Sequence, residues 1–242
     1  MNTSEDLTAI ANRVGSDKGT TTYCGHGYTR VYEVLLGAAR AAPLKIAEIG
    51  LMHVYTQAEY AGRHEQKGCP SLAMWAEYLP QAAVYGLDLV DFTALSTERI
   101  RIAQGDQGKR EDLAGFAGKY GPFDVIIDDG SHASHHQQIT LGALFPYLVP
   151  GGIYIVEDLH FQPPELEAAG ITRTRDFLRG LRSGHAGARV AMTQAELGNL
   201  VAGIRAIHFF DSLSTKWPLM QREDALAIIA KQGAHASLPP SW

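Results

Sequence analysis

Two pairs of acidic residues and a histidine follow apolar segments in the middle of the chain. Asp128 and Asp129 come directly after the run FDVII, with His132 close behind, and Glu157 and Asp158 follow a second run, GIYIV. The runs are separated by about 25 residues, which is typical of a βαβ unit. Because neighbouring parallel strands end at the same edge of a sheet, these side chains are expected to converge there. Converging carboxylates repel each other unless a cation lies between them.

The residue types indicate which cation and which reaction. Asp129, Glu157 and Asp158 offer hard oxygen ligands, which suit Mg²⁺, with Ca²⁺ or Mn²⁺ as alternatives. The histidine side chain has an ordinary pKa of about 6.5, so His132 could take a proton from a hydroxyl whose own pKa a metal has lowered. In the alternative interpretation, the first acidic pair caps a helix and the second begins a loop.

Three earlier acidic residues also end predicted strands. Glu48, Asp88 and Asp106 each follow a short apolar segment, and this pattern suits a nucleoside ligand. Asp88 could accept hydrogen bonds from the 2′- and 3′-hydroxyls of a ribose, and Asp106 could contact an adenine amino group. A solvated carboxylate that caps a loop is the alternative for each residue.

The loop after the first strand favours a particular cofactor. Dinucleotide-binding enzymes carry G-x-G-x-x-G at this point, where backbone approaches a pyrophosphate. Here Glu48 is followed by IGLMHVYTQ, which holds the single glycine Gly50. This sequence counts against a nicotinamide-dependent oxidoreductase and favours S-adenosylmethionine, which has no pyrophosphate.

Short apolar strands alternate with helices along the chain, which predicts an α/β fold with a doubly wound, mostly parallel sheet and an N-terminal helical segment. After residue 162 we predict a helical stretch to about 181, and then a strand pair, 206–210 with 213–218, at an antiparallel sheet edge. The earlier strands are predicted at 44–49, 83–89, 100–103, 123–127 and 153–156, and the helices at 4–13, 28–39, 71–79, 111–119 and 134–148, the last stopped by Pro150-Gly151-Gly152.

Length and composition are those of a globular protein. The 242 residues are 45% hydrophobic and 19% charged, enough for one domain. We divide this domain into a helical cap (1–43), a cofactor and metal core (44–160) and acceptor-side elements (161–242). The net charge of −5 argues against a nucleic-acid partner. Two cysteines without a disulfide pattern, no signal-peptide pattern and no membrane-spanning run predict a cytoplasmic protein.

These motifs together resemble those of the class I S-adenosylmethionine-dependent methyltransferases. Within that class they resemble the Mg²⁺-dependent sugar O-methyltransferases of macrolide biosynthesis, the macrocin and mycinamicin group, whose core the cephalosporin hydroxylase protein shares. The resemblance covers residues 15–160 and departs from the family at the glycine-poor Leu51-Met52-His53 and the long insertion up to Gly68. It rests on GSDKGT, EIG, PSLAMWAEYLP, VYGLDL, RIAQGDQ, FDVIIDDGSH, HQQ and LFPYLVPGGIYIVEDLH.

The resemblance implies a role for each matching residue. It makes His132 the general base and Asp129, Glu157 and Asp158 the Mg²⁺ ligands. The implied cofactor contacts are Glu48 and Gly50 at the methionine end, Asp88 at the ribose, Gln104 and Asp106 at the adenine, Asp128 near the amino acid end or the sulfonium, and a covering loop that contains Ser16 and Lys18.

The implied reaction is methylation of a hydroxyl on a small natural product such as an antibiotic, with a vicinal diol of a sugar as the preferred acceptor. A polyketide, a peptide and a free sugar stay open, as does a catechol-type enzyme. An accessory protein that binds S-adenosylmethionine without transferring its methyl group is the main alternative. We expect a homo-oligomer with no membrane partner. His160 is a candidate for the acceptor pocket, whereas His135 and His136 are expected to be surface or packing residues.

Overall fold

The computed structural model describes residues 5–22, 25–51, 68–185 and 189–238. The strands within these ranges are β1 (Lys45–Ile49), β2 (Ala83–Asp88), β3 (Ile100–Gln104), β4 (Phe123–Asp128), β5 (Leu148–Val156), β6 (Ile204–Phe210) and β7 (Leu226–Lys231). β1 to β5 are parallel, β7 pairs antiparallel with both β5 and β6, and the sheet order is β3-β2-β1-β4-β5-β7-β6.

Helices cover both faces of this sheet, and a hydrophobic core lies on each side. The first three helices contribute to one core, and the next four contribute to the other. The predicted doubly wound α/β class is therefore confirmed. The helices are α1 (Leu7–Val14), α2 (Thr29–Leu36), α3 (Pro70–Tyr78), α4 (Arg110–Tyr120), α5 (Ser134–Leu144), α6 (Thr174–Arg182), α7 (Gln194–Gly203) and α8 (Leu219–Arg222). Among the described residues, no helix has the length and apolar character needed to cross a membrane.

The central strands place the acidic pairs at one edge of the sheet. β4 lies between β1 and β5 and is buried from Val125 to Asp128, as expected for a parallel strand covered on both faces. Asp128 is in register with Ile49 of β1 and Val156 of β5. β1, β4 and β5 therefore end at the same level of the sheet, and the acidic residues lie directly before or after these strand ends.

Gly50 is required where β1 leaves the sheet. Its φ of 85° lies in the left-handed region, and a Cβ atom there would come within 2.2 Å of the Asp129 carbonyl oxygen. The loops after β1 and β4 are therefore in backbone contact, which only glycine permits. The rest of the predicted insertion, residues 52–67, lies outside the described residues.

The predicted terminal strand pair is half wrong. β6 forms near 206–210, but its partner is β7 at 226–231 rather than 213–218. Segment 213–218 instead packs on the N-terminal loop, where the Leu213 N–H donates to the His26 carbonyl oxygen over 2.8 Å. The run LAIIAK of β7 is apolar without alternation because β7 is buried on both faces between β5 and β6.

Two predicted helices are also too long. The stretch after residue 162 becomes helical only at Thr174, since Pro163, Pro164 and Gly170 precede it in turns. The helix predicted over 134–148 ends at Leu144, and a 3₁₀ turn then leads into β5. The Pro-Gly-Gly segment predicted to stop that helix therefore lies within β5. Helix α7 was not predicted from the sequence.

An ion pair joins α4 to α7. The Arg110 Nε and Nη2 atoms donate to the two carboxylate oxygens of Glu196 over 2.7 and 2.9 Å. Glu196 also accepts from the Thr193 N–H and completes a capping box at the start of α7. Although burial opposes the shift, the hydrogen bonds with Arg110 and Thr193 lower the pKa of Glu196 below its ordinary value.

We expect Glu196→Gln to lower the free energy of unfolding at pH 7 by about 0.5–1 kcal/mol, the contribution of a partly exposed ion pair, since glutamine can keep the capping box. A lowered pKa in the folded state stabilises the fold above the ordinary pKa of 4.5, and this stabilisation is lost as pH falls. The difference from the wild type, measured by urea unfolding, should therefore shrink between pH 7 and pH 3. The exposed Glu98→Gln is the control, and a difference that does not change with pH would contradict the assignment.

Candidate active site

A buried lysine lies among the acidic residues at the carboxyl edge of the sheet. The side chain of Lys18 is fully buried, and its Nζ lies 2.5 Å from Asp129 Oδ2, 3.0 Å from Glu157 Oε1 and 3.2 Å from Glu48 Oε1. Burial by itself lowers the pKa of this ammonium, but the surrounding carboxylates outweigh it and hold the pKa well above its ordinary value. Lys18 is therefore a charged, internal partner of three carboxylates.

Aromatic donors from two helices complete the contacts of these carboxylates. The Tyr32 hydroxyl of α2 donates to Glu157, and the indole N–H of Trp75 in α3 donates to Glu48 over 2.8 Å. Tyr28, which directly precedes α2, donates to Asp158 Oδ1 over 2.7 Å. Tyr28 and Tyr32 are four residues apart, so both face the sheet edge from one side of a helix. This spacing is a signal that the sequence analysis did not use.

Asp158 lies at the centre of a second group, opposite Lys18. His26 Nε2 and His132 Nε2 each lie 3.7 Å from its Oδ2 atom, and His160 Nδ1 lies 3.9 Å from Oδ1. Burial alone would raise the pKa of Asp158, but the three histidines hold it below its ordinary range. Sequence reasoning missed His26, because a turn-rich loop has no periodicity that shows which side chains point inward.

Two residues of this group have left-handed backbone. His132 has φ of 60° and Asp158 has φ of 53°, a conformation that non-glycine residues seldom adopt and that clusters at functional sites. Both lie just past strand ends, in the tight turns that bring their side chains back over the sheet edge. One ligand atom from each of Asp129, His132 and Asp158 lies within 4.8 Å of the others.

The three predicted metal ligands therefore divide between two groups. Asp129 and Asp158 converge with His132, and Asp129 also contacts Lys18, whereas Glu157 contacts Lys18 and Tyr32 without joining the His132 group. Burial and then the neighbouring carboxylate of Glu157 raise the pKa of Asp129, although Lys18 opposes the shift. Buried oxygen donors that repel one another fit a divalent cation, which would relieve that repulsion.

Asp128 is buried on the other side of the same strand end. It accepts hydrogen bonds from Gln107 Nε2 over 3.2 Å and from the Gly130 N–H and the Tyr154 hydroxyl over 3.4 Å each. Burial raises the pKa of Asp128 to about 7, and these three donors reduce the shift. A carboxyl of this kind suits a site where a positive group arrives with a ligand.

The predicted ribose ligand ends β2 at the same edge. Asp88 Oδ2 accepts from the Leu51 N–H over 2.7 Å, and Oδ1 accepts from the Val90 N–H over 2.8 Å. Each carboxylate oxygen has a second lone pair, so the side chain keeps acceptor capacity for hydroxyl donors. The two backbone contacts fix its orientation.

The remaining predicted cofactor residues lie at different depths. Gln104 is exposed at the end of β3 and donates to the Leu89 carbonyl over 3.1 Å, and Asp106 Oδ1 accepts from the Gly108 N–H over 2.8 Å. Ser16, by contrast, is buried beside the Lys18 backbone. Its loop brings the Lys18 side chain to the carboxylates instead of to the surface.

Sequence comparison relates the chain to named O-methyltransferases. Over 134 residues it is 39% identical to mycinamicin VI 2''-O-methyltransferase of Micromonospora griseorubida. This alignment covers 55% of the chain and 32% of that protein. Over 154 residues it is 36% identical to the 8-demethyl-8-(2-methoxy-alpha-L-rhamnosyl)-tetracenomycin-C 3'-O-methyltransferase of Streptomyces olivaceus. This second alignment covers 64% of the chain and 37% of that protein. The chain thus spans about a third of the length of these relatives. No protein-family model matches it.

Structural comparison gives the same relationship. The MycE methyltransferase from the mycinamycin biosynthetic pathway, in complex with Mg and SAH, aligns with 98% of this chain and 58% of its own, with a TM-score of 0.70 and 27% identity. The predicted resemblance to the macrocin and mycinamicin group and the predicted methyltransferase fold are therefore confirmed.

Proposed function

We propose that the chain is an S-adenosylmethionine- and Mg²⁺-dependent O-methyltransferase that acts on a hydroxyl of a glycosylated natural product. The convergence of Asp129, His132 and Asp158 at the carboxyl edge of the sheet carries this proposal, because it joins a base to oxygen donors for a cation. The similarity to enzymes named for methylation of sugar-bearing macrolides and tetracenomycins supports it. The same names disfavour an accessory protein without methyl transfer.

Asp129, Glu157 and Asp158 would hold the Mg²⁺ ion. When bound, this ion would lower the pKa of an acceptor hydroxyl and orient it. Lys18 would hold Glu48 and Glu157 in place. Its ammonium would also balance negative charge of the carboxylates that a divalent ion does not neutralise.

His132 would take the proton of the acceptor hydroxyl. Its Nε2 atom lies 3.7 Å from Asp158 Oδ2, so a hydroxyl seated among the carboxylates lies within reach of the ring. Asp158 would stabilise the imidazolium that forms. Bound S-adenosylmethionine would supply the methyl group and leave as S-adenosylhomocysteine, and the role of His132 and Asp158 would be to hold the acceptor oxygen deprotonated and oriented; positioning supplies on the order of 7–11 kcal/mol in well-oriented reactions.

S-Adenosylmethionine would lie across the ends of β1, β2 and β4. Asp88 would accept from the ribose hydroxyls, Gln104 and Asp106 would contact the adenine, and Asp128 would face the positively charged amino group or sulfonium. Glu48 and Gly50 would line the methionine end, and the loop with Ser16 and Lys18 would cover it; Ser16, Lys18 and Glu48 are buried. The elements after residue 160 would supply the acceptor side of the site. We further propose that the enzyme is a homo-oligomer and that it acts in the cytoplasm.

Calorimetric titration tests the cofactor, and a transfer assay tests the reaction. We expect S-adenosylmethionine to bind with a micromolar Kd and NAD not to bind. Methyl transfer to vicinal-diol glycosides should stop when a chelator removes metal and should return with Mg²⁺. Absence of S-adenosylmethionine binding in the presence of Mg²⁺ would refute the class, and full activity after metal removal would refute the metal dependence.

A further inference from the structure

Two histidines outside the proposed Mg²⁺ set converge on Asp158. His26 comes from the loop before α2, and His160 comes from the turn after β5. His26 Nε2 lies 3.7 Å from Asp158 Oδ2, and His160 Nδ1 lies 3.9 Å from Oδ1. One ligand atom from each of the three residues lies within 4.8 Å of the other two. The loop and the turn thus present two imidazoles and one carboxylate to a common point.

The hydrogen bonds of His26 fix which ring nitrogen faces that point. Ser212 Oγ donates to the His26 carbonyl and lies 3.4 Å from His26 Nδ1. In the tautomer that carries the proton on Nδ1, this hydroxyl accepts from Nδ1–H and the lone pair of Nε2 is directed towards Asp158. A hydrogen bond on the far nitrogen is the usual support of a metal-ligating histidine. The ring is also stacked on Tyr28 at 4.9 Å.

His160 supplies the second imidazole. Its side chain is 3% exposed, and within the described part of the chain Nδ1 has no hydrogen-bond partner. The ring is held by edge contacts with His26 at 5.6 Å and Trp217 at 5.9 Å. A buried polar atom that lacks a partner calls for an explanation, and a bound ion is one.

We propose that His26, Asp158 and His160 form a binding site for a divalent metal ion of intermediate hard–soft character, such as Zn²⁺. Imidazole nitrogen suits Zn²⁺, Co²⁺ and Ni²⁺, whereas Mg²⁺ prefers oxygen donors. Two imidazoles and one carboxylate are a common set of three protein ligands, and they leave a fourth position open. The site therefore differs in metal preference from the oxygen-rich set around Asp129.

Asp158 belongs to both sets, and this sharing has a consequence that rests on the proposed function. A Zn²⁺ ion held by His26 and His160 engages the carboxylate that would otherwise serve Mg²⁺. Zn²⁺ should therefore suppress Mg²⁺-dependent methyl transfer, and removal of either histidine should raise the inhibitory Zn²⁺ concentration at least 10-fold.

Cobalt titration of the untagged, metal-stripped chain tests the site directly. We expect one Co²⁺ per chain to give visible d–d absorption, and Zn²⁺ to displace it. His26→Gln and His160→Gln should each weaken Co²⁺ binding at least 10-fold, and Ser212→Ala should weaken it through the lost support of His26. His235→Gln is the matched control, since His235 pairs with Asp124 near the start of β4 over 2.7 Å.

The outcomes separate this site from the proposed function. Equal Co²⁺ binding by the wild type, His26→Gln and His160→Gln, with unchanged thermal unfolding, would overturn the site, as would absence of binding by the wild type. Co²⁺ absorption that is lost in His26→Gln and His160→Gln but kept in His235→Gln would support the site, whether or not methyl transfer is observed. Failure of methyl transfer under every metal condition would instead overturn the proposed function.

Discussion

Replacement of His132 by alanine should lower the rate of methyl transfer at least 100-fold, the usual contribution of a general base. The ring is buried at the turn after β4 and faces Asp158, and the carboxylates proposed to bind the cation would be engaged by it. The affinity for S-adenosylmethionine should change little, because the cofactor contacts are assigned to other residues.

Single-turnover transfer and calorimetric titration of the cofactor measure the two effects separately. His132→Gln is informative beside alanine, because both place a non-glycine residue at the same left-handed position, so that the backbone strain is unchanged. His136→Gln is the control: this neighbour is half-buried and contacts Ser131 Oγ over 2.7 Å. A near-normal rate in His132→Ala would refute the assignment of the base.

Replacement of Lys18 by methionine should lower the free energy of unfolding of the metal-free protein by about 3–5 kcal/mol, the typical cost of breaking a buried ion pair. Methionine fills a similar volume but leaves Glu48, Asp129 and Glu157 without the ammonium that lies within 3.2 Å of each. Added Mg²⁺ should restore more stability to this variant than to the wild type, because it supplies the missing positive charge.

Urea unfolding with and without Mg²⁺ measures both parts of this prediction. Lys109→Met is the matched control, since the Lys109 side chain is 58% exposed and lies 3.7 Å from Asp106; exposed ion pairs contribute about 0–1 kcal/mol. If Lys18→Met were as stable as the wild type without metal, the carboxylates would not depend on the lysine.

The carboxyl edge could be predicted from sequence because parallel strands obey a simple rule. The apolar runs before Asp128 and Glu157 had to be neighbouring strands, and their register then brought the acidic pairs together. The position of β7 could not be predicted in the same way. The apolar run of β7 does not indicate that this strand inserts between β5 and β6. The segment directly after β6 was the better candidate partner for β6, because a hairpin between them needs only a short loop.

The interior of the site was harder to predict than its edge. Lys18 and His26 lie in a loop that is rich in glycine and threonine, and loop sequences do not reveal which side chains turn inward. The family resemblance implied a covering loop that contains Ser16 and Lys18, and the contacts of the Lys18 ammonium with Asp129 and Glu157 were seen only in the structure. A charged residue in a loop is usually solvated, so its burial had no local sequence signal.

The insertion of β7 has a consequence for the order in which the protein is assembled on the ribosome. β6 is synthesised before β7 but has no place on the sheet until β7 has paired with β5. Ala225, next to β7, also accepts from the Leu159 N–H, which anchors the turn that follows Asp158. A nascent chain that ends before residue 226 therefore exposes the unpaired edge of β5 beside an unfinished acidic cluster, so among the described strands the one synthesised last completes both the sheet and the site.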